Sequence, residues 1–335
     1  METKPQLLDI RGLRTHFHSK EGTVRAVDGV SFSIRRGEAL GIAGESGCGK
    51  SVTAQSILRI VPTNGRIEEG SILFQRDGGV VDIAKLDPRG PEIRSIRGAE
   101  ISMIFQEPMT SFSPVYTIGN QIMEVIRLHQ KVDAKEARAR AIEMLRRVGM
   151  PKPEKSVDSY PFALSGGQRQ RAMIAMALSC QPRLLIADEP TTAVDVTIQA
   201  QVLDLVEELQ AQSDMALMMI THDLAVIAEL CDRAMIMYLG RSVECASVEA
   251  LFDRPRHPYT VGLLNSVPRL GEGGGQQIDA IEGTVPSLYR LPTGCPFHPR
   301  CPRCMGGVCD RVFPEPVEVS PGHSVSCHLY AEEGR

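Results

Sequence analysis

Three short motifs in a fixed order constrain this chain more than anything else in it. Residues 44–51 read Gly-Glu-Ser-Gly-Cys-Gly-Lys-Ser, residues 164–168 Leu-Ser-Gly-Gly-Gln, and residues 184–189 Leu-Leu-Ile-Ala-Asp-Glu. The first fits G-x-x-x-x-G-K-[ST]. There the glycines let backbone N–H groups close around phosphate oxygens, Lys50 reaches the β- and γ-phosphates and Ser51 ligates Mg²⁺. Its setting is right: the short apolar run Ala39–Ala43 reads as a buried strand feeding the loop, and Ser51–Ile60 reads as a helix presenting its positive end. The third motif is a buried strand ending in carboxylates. Asp188 suits the Mg²⁺ shell beside Ser51, and Glu189 suits polarising an attacking water as general base.

The rest of the chain fits around these motifs. Residues 5–43 read as strands. Ile118–Leu128 and Ala134–Val148 have helical periodicity, with Asp133 and Glu136 as a capping arrangement and Gly149 as a stop, and Lys135 to Arg147 reads as a solvated charged face. Leu184–Ala187 and Ala216–Ile220, separated by the helical stretch Ile198–Gln212, give a βαβ rhythm. Ala234–Tyr238 and Arg241–Glu244 flank Leu239-Gly240, a predicted hairpin. Gly271–Gly275 reads as a flexible linker.

In this order and combination the motifs resemble the nucleotide-binding subunit of an ATP-binding cassette (ABC) transporter, across essentially the whole chain. The resemblance implies an α/β fold: an ABC-type nucleotide-binding domain with a P-loop, RecA-like core, an antiparallel β subdomain and a helical insertion, plus a small Cys-rich C-terminal extension. The boundaries read as 1–251 for the domain, with its helical subdomain at about 108–164, and 252–335 for the extension.

The family's site residues carry over by motif. Gly44, Ser46, Gly47, Cys48, Gly49, Lys50, Ser51 and Val52 form the phosphate loop. Gln106, after Ile101–Phe105, matches the Q-loop that contacts Mg²⁺ and water. Ser165, Gly166, Gly167 and Gln168 match the signature, whose helix N-terminus faces the γ-phosphate held by the opposite subunit. Asp195 matches the D-loop, in which this chain has Val194 where Leu is frequent. His222 matches the switch histidine. Phe17 is the candidate ring under adenine, and a core-strand phenylalanine is the competing reading. Glu189, His222, Gln106 and Lys50 are then the catalytic set, and Ser51, Gln106 and Asp188 the Mg²⁺ set.

The implied partners are a second, distinct ATPase subunit, two transmembrane permease subunits engaged through coupling helices, and a periplasmic or lipid-anchored substrate-binding protein. Nucleic acid is not an expected partner: the net charge of −4 gives no reason for it. No run approaches the roughly 18 uncharged apolar residues that span a bilayer, and Met1 to Arg11 lacks a signal-peptide pattern. A peripheral position on the cytoplasmic face of the membrane follows. A soluble ABC ATPase of DNA repair or translation is the remote alternative. Those usually carry paired cassettes or long coiled-coil insertions, and this chain has neither.

The tail bears on cargo. Arg256-His257-Pro258-Tyr259-Thr260, with Gly294-Cys295-Pro296 and Pro299-Arg300-Cys301-Pro302, resembles the C-terminal extension of dipeptide and oligopeptide importer ATPases. The same subfamily serves nickel-chelate, glutathione and sugar importers. Cys295, Cys301, Cys304, Cys309 and Cys327 cluster there, which in a cytosolic chain reads as metal binding before disulfides. The resemblance points to a [4Fe–4S] cluster on Cys295, Cys301, Cys309 and Cys327. Cys304, in C-x-x-C spacing with Cys301, is a substitute ligand, and Zn²⁺ and reduced thiols are the alternatives. A structural role is expected, because a tail with little apolar content needs a staple.

Overall fold

The structure is a computed structural model that describes residues 4–106, 111–190, 196–266 and 281–331. In chain order its strands are β1 (Gln6–Ser19), β2 (Gly22–Arg35), β3 (Ala39–Ala43), β4 (Gly65–Arg76), β5 (Gly79–Asp82), β6 (Ile101–Ile104), β7 (Leu184–Asp188), β8 (Ala216–Ile220), β9 (Arg233–Tyr238), β10 (Arg241–Ser247), β11 (Val317–Ser320) and β12 (His323–Val325). The chain forms two compact units. The first comprises Met1–Leu7, Ile34–Glu38 and Lys85–Met219, the second Leu8–Ser33, Ala39–Ala84 and Ile220–Arg335.

In the first unit β6 runs parallel to β7, with Ile101 opposite Leu184 and Ile104 opposite Ala187, and β8 lies on the other side of β7. Every residue of β7 and β8 is buried, as a strand covered on both faces requires. Two helices supply most of the helical insertion. Ile118–His129 starts on Thr117, whose hydroxyl accepts the Asn120 N–H, and Ala134–Arg147 starts on Asp133, which accepts the Glu136 N–H at 2.8 Å. The second helix ends as expected at Gly149, in a paired closure. The Gly149 N–H donates to the Arg146 carbonyl and the Met150 N–H to the Leu145 carbonyl, with Gly149 at φ 68°. The two helices pack together. Ile118, Ile122 and Ile126 on the first, and Ala137, Ala141 and Leu145 on the second, form fully buried stripes at a spacing of four. The opposite face is solvated and carries exposed ion pairs such as Arg138 with Asp158 and Arg140 with Glu136.

In the second unit β2, β1, β4 and β5 form a four-stranded sheet in that order, antiparallel at β1–β4 and β4–β5. A further run of neighbours, β11-β12-β10-β9-β3, is antiparallel except for the parallel pair β3–β9. Leu239 and Gly240 make the tight β9–β10 turn, both at positive φ (45° and 81°), as a two-residue hairpin of right-handed twist demands.

The tail is tied into this unit by its own chain. β12 extends the sheet from β10, pairing Glu244 with Val325. Tyr238, Tyr259 and Phe297, each 1 % exposed or less, form a ring cluster with centroids 4.6–5.3 Å apart. The fully buried Glu244 carboxylate accepts from the His323 ring at 2.7 Å and from the N–H groups of Arg256 and His257 at 2.7 and 2.9 Å. The expectation that a tail with little apolar content needs a metal staple is therefore corrected. An aromatic core and one buried carboxylate fasten it. The Gly271–Gly275 linker lies outside the described residues.

Candidate functional site

The phosphate loop belongs to the second unit, and its sequence dictates its shape. Gly44, at φ 150°, leaves β3 so close to β9 that a Cβ would run into the Met237 carbonyl. Gly49, at φ 103°, would meet the Ala26 carbonyl in the same way. No side chain fits either position. Gly49 opens the helix Lys50–Ile57, whose Thr53 hydroxyl returns to the Gly49 carbonyl at 3.0 Å. The β9–β10 turn braces the loop, since the Gly240 N–H donates to the Cys48 carbonyl at 2.9 Å. Ser46 and Gly47 stay exposed, and Ser51 and Val52 are half-buried at the helix start. Lys50 is 6 % exposed. Its ammonium donates to the Gly44 and Glu45 carbonyls at 2.7 and 3.2 Å, so the lysine is curled over the loop it serves. Burial pushes the Cys48 thiol up, and Cys48 packs as an apolar residue.

The carboxylate end belongs to the first unit. Asp188 closes β7 and is 3 % exposed. Glu189 follows at φ 47°, in the left-handed region that costs a residue with a Cβ about 1 kcal/mol or more. The Gln106 amide, just past β6, donates to Glu189 Oε2 at 3.0 Å. Sequence reasoning placed both residues in one catalytic set, and the parallel β6–β7 register brings them together.

The signature is also in the first unit. Ser165 caps the helix Gly166–Leu178 in a reciprocal box. Its hydroxyl accepts the Gln168 N–H at 3.3 Å, and Gln168 Oε1 accepts the Ser165 N–H at 3.1 Å. Ser165 and Gly166 are exposed, so the positive end of a thirteen-residue helix faces outward. On the same helix the buried Gln170 amide donates to the carbonyl of Pro190, next to Glu189. Sequence reasoning passed over Gln170. Its place two residues beyond the pentad was the available signal.

His222 is exposed between β8 and the helix Leu224–Leu230, which Asp223 caps by accepting the Ala225 N–H at 2.9 Å. Phe17 is half-buried on β1 opposite Gly65 of β4, and its ring fills the space where a Gly65 side chain would stand. Asp195 lies outside the described residues.

The cysteine expectation does not hold. Among the described residues no group of three or more His, Cys, Asp or Glu is arranged to hold a metal ion. Neither a [4Fe–4S] cluster nor Zn²⁺ is carried forward for Cys295, Cys301, Cys304, Cys309 and Cys327. Burial pushes the Cys295 thiol up to about 12, and the thiols of Cys301 and Cys327 rise for the same reason. The cavity between them offers about 10 Å³, room for about one water. Cys304 is exposed, and Cys309 accepts the Met305 N–H.

An α/β core with a phosphate loop, a strand-end Asp-Glu pair, a loop glutamine and a capped Ser-Gly-Gly-Gln helix defines an ATP-binding-cassette ATPase. Residues 27–192 match the ABC transporter family, and residues 243–309 match the oligopeptide/dipeptide transporter C-terminal region. A probable peptide ABC transporter ATP-binding protein of Sinorhizobium fredii is 50 % identical over 98 % of this chain and 97 % of its own. The dipeptide transport ATP-binding protein DppD of Bacillus subtilis is 48 % identical, over 97 % and 95 % respectively. Among solved structures, an ATP-binding cassette captured as a dimer after hydrolysis, with ADP and phosphate, aligns at TM-score 0.64. It covers 72 % of this chain and 99 % of its own at 24 % identity, a likeness of fold. The chain belongs to the ABC transporter ATP-binding proteins, in the branch that carries the oligopeptide/dipeptide transporter C-terminal region.

Proposed function

We propose that this chain is the ATP-hydrolysing subunit that powers a di- and oligopeptide importer, paired with a second, distinct ATPase subunit on the cytoplasmic face of the membrane. The observation that carries the reading is the pairing of an intact motif series with a C-terminal region of the oligopeptide/dipeptide type, both inside a chain about half identical to proteins named for peptide transport. The domain division at Leu251, with a small Cys-rich extension after it, belongs to the same reading.

Each residue then has a task. The N–H groups of the loop Gly44–Ser51, continuing into Val52, and the Lys50 ammonium bind the β- and γ-phosphates. Ser51, Asp188 and Gln106 offer a hydroxyl, a carboxylate and an amide oxygen, hard donors that fit Mg²⁺. Bound Mg²⁺ neutralises charge on the transferring phosphoryl group. Glu189 accepts a proton from water as its oxygen bonds to the γ-phosphorus, and the bond to the ADP oxygen breaks with ADP leaving. Gln106 orients Glu189, and His222 contacts the γ-phosphate. Phe17 lies under adenine. Ser165, Gly166, Gly167 and Gln168 complete the partner ATPase's pocket, with Asp195 at the seam between the two.

The helical insertion offers the docking face for the permeases. An open groove of about 1100 Å³ runs along Ile118–His129, lined by Tyr116, Met123 and Leu128 among polar and charged residues such as Glu124, Arg127 and Lys131. Tyr116 and Leu128 are 57 % and 72 % exposed, apolar points within a polar rim that a partner helix can use. Among the described residues no helix is long and apolar enough to cross a membrane, so transport runs through such partners.

The test is reconstitution of the complex with its permease pair and binding protein in vesicles. ATP turnover stimulated by a dipeptide or oligopeptide supports the reading. Stimulation only by glutathione, a nickel chelate or a sugar moves the cargo assignment to that class, and turnover that no permease alters removes the importer role.

A further inference from the structure

The phosphate loop is gripped from the C-terminal segment at a residue that none of the nucleotide-binding motifs assigns. Glu45 is the second residue of Gly44–Ser51, and three of its groups are held. Its carboxylate meets Arg300, 255 positions away, in a two-bond fork: Nη1 donates to Oε2 at 2.8 Å and Nη2 to Oε1 at 3.1 Å. Its N–H donates to the Tyr259 hydroxyl at 2.9 Å. Its carbonyl accepts from Lys50 Nζ at 3.2 Å and from the Cys48 N–H at 3.3 Å.

Arg300 is built for this task. A guanidinium has five N–H donors in a rigid plane. Besides the fork, Nε donates to the Glu282 carbonyl at 3.1 Å, Nη1 to the Tyr238 hydroxyl at 3.3 Å and Nη2 to the Ile281 carbonyl at 3.4 Å. All five donors are used, and the side chain is 5 % exposed against 26 % for Glu45. A lysine could not reproduce this geometry.

Surface ion pairs contribute little, but this one is largely withdrawn from water and planar on both sides. The tail does not need it for attachment, because Tyr238, Tyr259 and Phe297 already share a core. Through Glu45 the fork reaches the peptide whose carbonyl meets Lys50.

We propose that Arg300 is a positioning residue for the phosphate loop: through Glu45 it sets the loop backbone and Lys50, so that the C-terminal segment governs how tightly the loop takes a nucleoside triphosphate. This rests on the reading that Gly44–Ser51 binds ATP. Coupling of this kind is reciprocal, so a nucleotide in the loop must also steady the segment around Arg300.

Two measurements on the full chain, paired with its partner ATPase, test it. The first is a cycle of Arg300→Gln, Glu45→Gln and the double variant, with ATPγS affinity and ATP KM as readouts and circular dichroism as the check on folding. Each single substitution is expected to weaken ATPγS binding about fivefold or more, and the double to be no worse than the weaker single. Arg300→Lys keeps the charge without the fork and should remain impaired. Singles within twofold of wild type, effects that multiply in the double, or full rescue by lysine each overturn the proposal.

The second measurement needs no variant and stands if the substitutions disturb folding. Hydrogen exchange of the wild-type protein with and without ATPγS is expected to slow in residues 295–301 as well as 44–51. Protection confined to the loop overturns the proposal and leaves ATP binding standing. Absence of ATPγS binding by the wild type sinks the ATP reading instead.

Discussion

Gln106 holds Glu189 by a 3.0 Å hydrogen bond from its side-chain amide, and Glu189 is itself in the left-handed backbone region at φ 47°. The two sit at the ends of adjacent parallel strands, Gln106 just past β6 and Glu189 just past β7. A carboxylate in an uncommon backbone conformation, held by an amide from the neighbouring strand, is aimed rather than merely present. The strain is stored where the proposed proton transfer occurs.

Glu189→Gln removes the base and keeps the size. ATP turnover in the assembled complex should fall about 100- to 10,000-fold, the usual contribution of a general base, while ATPγS affinity stays within a few fold. Steady-state phosphate release alongside equilibrium binding checks it. Turnover near the wild-type rate would transfer the base to another residue.

Ser165→Ala separates the cap from the proposed action across the subunit seam. Loss of the capping hydroxyl should lower stability by about 1 kcal/mol. A cap alone would leave the rate per folded molecule intact. With the signature completing the partner's pocket, the rate should fall well beyond the loss of folded protein, and Ser165→Asp should restore the melting temperature without restoring turnover. Thermal melting and ATPase assays on matched samples decide between the two.

Most of the nucleotide machinery was readable because it is local. The glycines of 44–49, the strand ending in Asp188 and the Asp133–Gly149 helix announce themselves within a few residues, and each formed as expected. What was not readable depends on tertiary pairing. β4 and β5 gave no clean alternation, since Gly65–Arg76 is interrupted by Gly70 and two adjacent glutamates. Glu45 and Arg300 carry no sign in sequence that they meet, although Arg300 stood in a segment noticed for its hint of cargo and for Cys301. The cysteine spacing pointed to metal ligands, but spacing does not report burial. Buried and half-buried cysteines around a small cavity satisfy the same pattern.

The cysteines should therefore differ in reactivity by exposure. Cys48 and Cys295 are 3 % and 8 % exposed, so a reagent reaches their sulfurs only when the fold opens. Cys304 is exposed. Brief iodoacetamide treatment at pH 7.5, read by peptide mass spectrometry, should label Cys304 first and Cys48 and Cys295 last. Unfolding in denaturant should erase the order. Early labelling of Cys295 would contradict the burial described for the tail.

His257 gives the tail a pH dependence whose sign is set by burial. It is 1 % exposed, its Nδ1 accepts the Tyr259 N–H at 3.1 Å, and desolvation lowers its pKa from 6.5 to about 4, with Glu244 pulling weakly the other way. The folded state thus keeps the ring neutral where the unfolded chain would protonate it. Unfolded molecules bind more protons between pH 6.5 and about 4, so stability is full above that window and is lost as pH falls through it. The whole loss is on the order of 3 kcal/mol, from about 1.4 kcal/mol for each pKa unit. His257→Asn keeps a helix-capping acceptor before Tyr259 and removes the titration. Between pH 7 and pH 5 the wild-type melting temperature should drop more than that of the variant, by differential scanning calorimetry. Equal drops would place the acid sensitivity elsewhere.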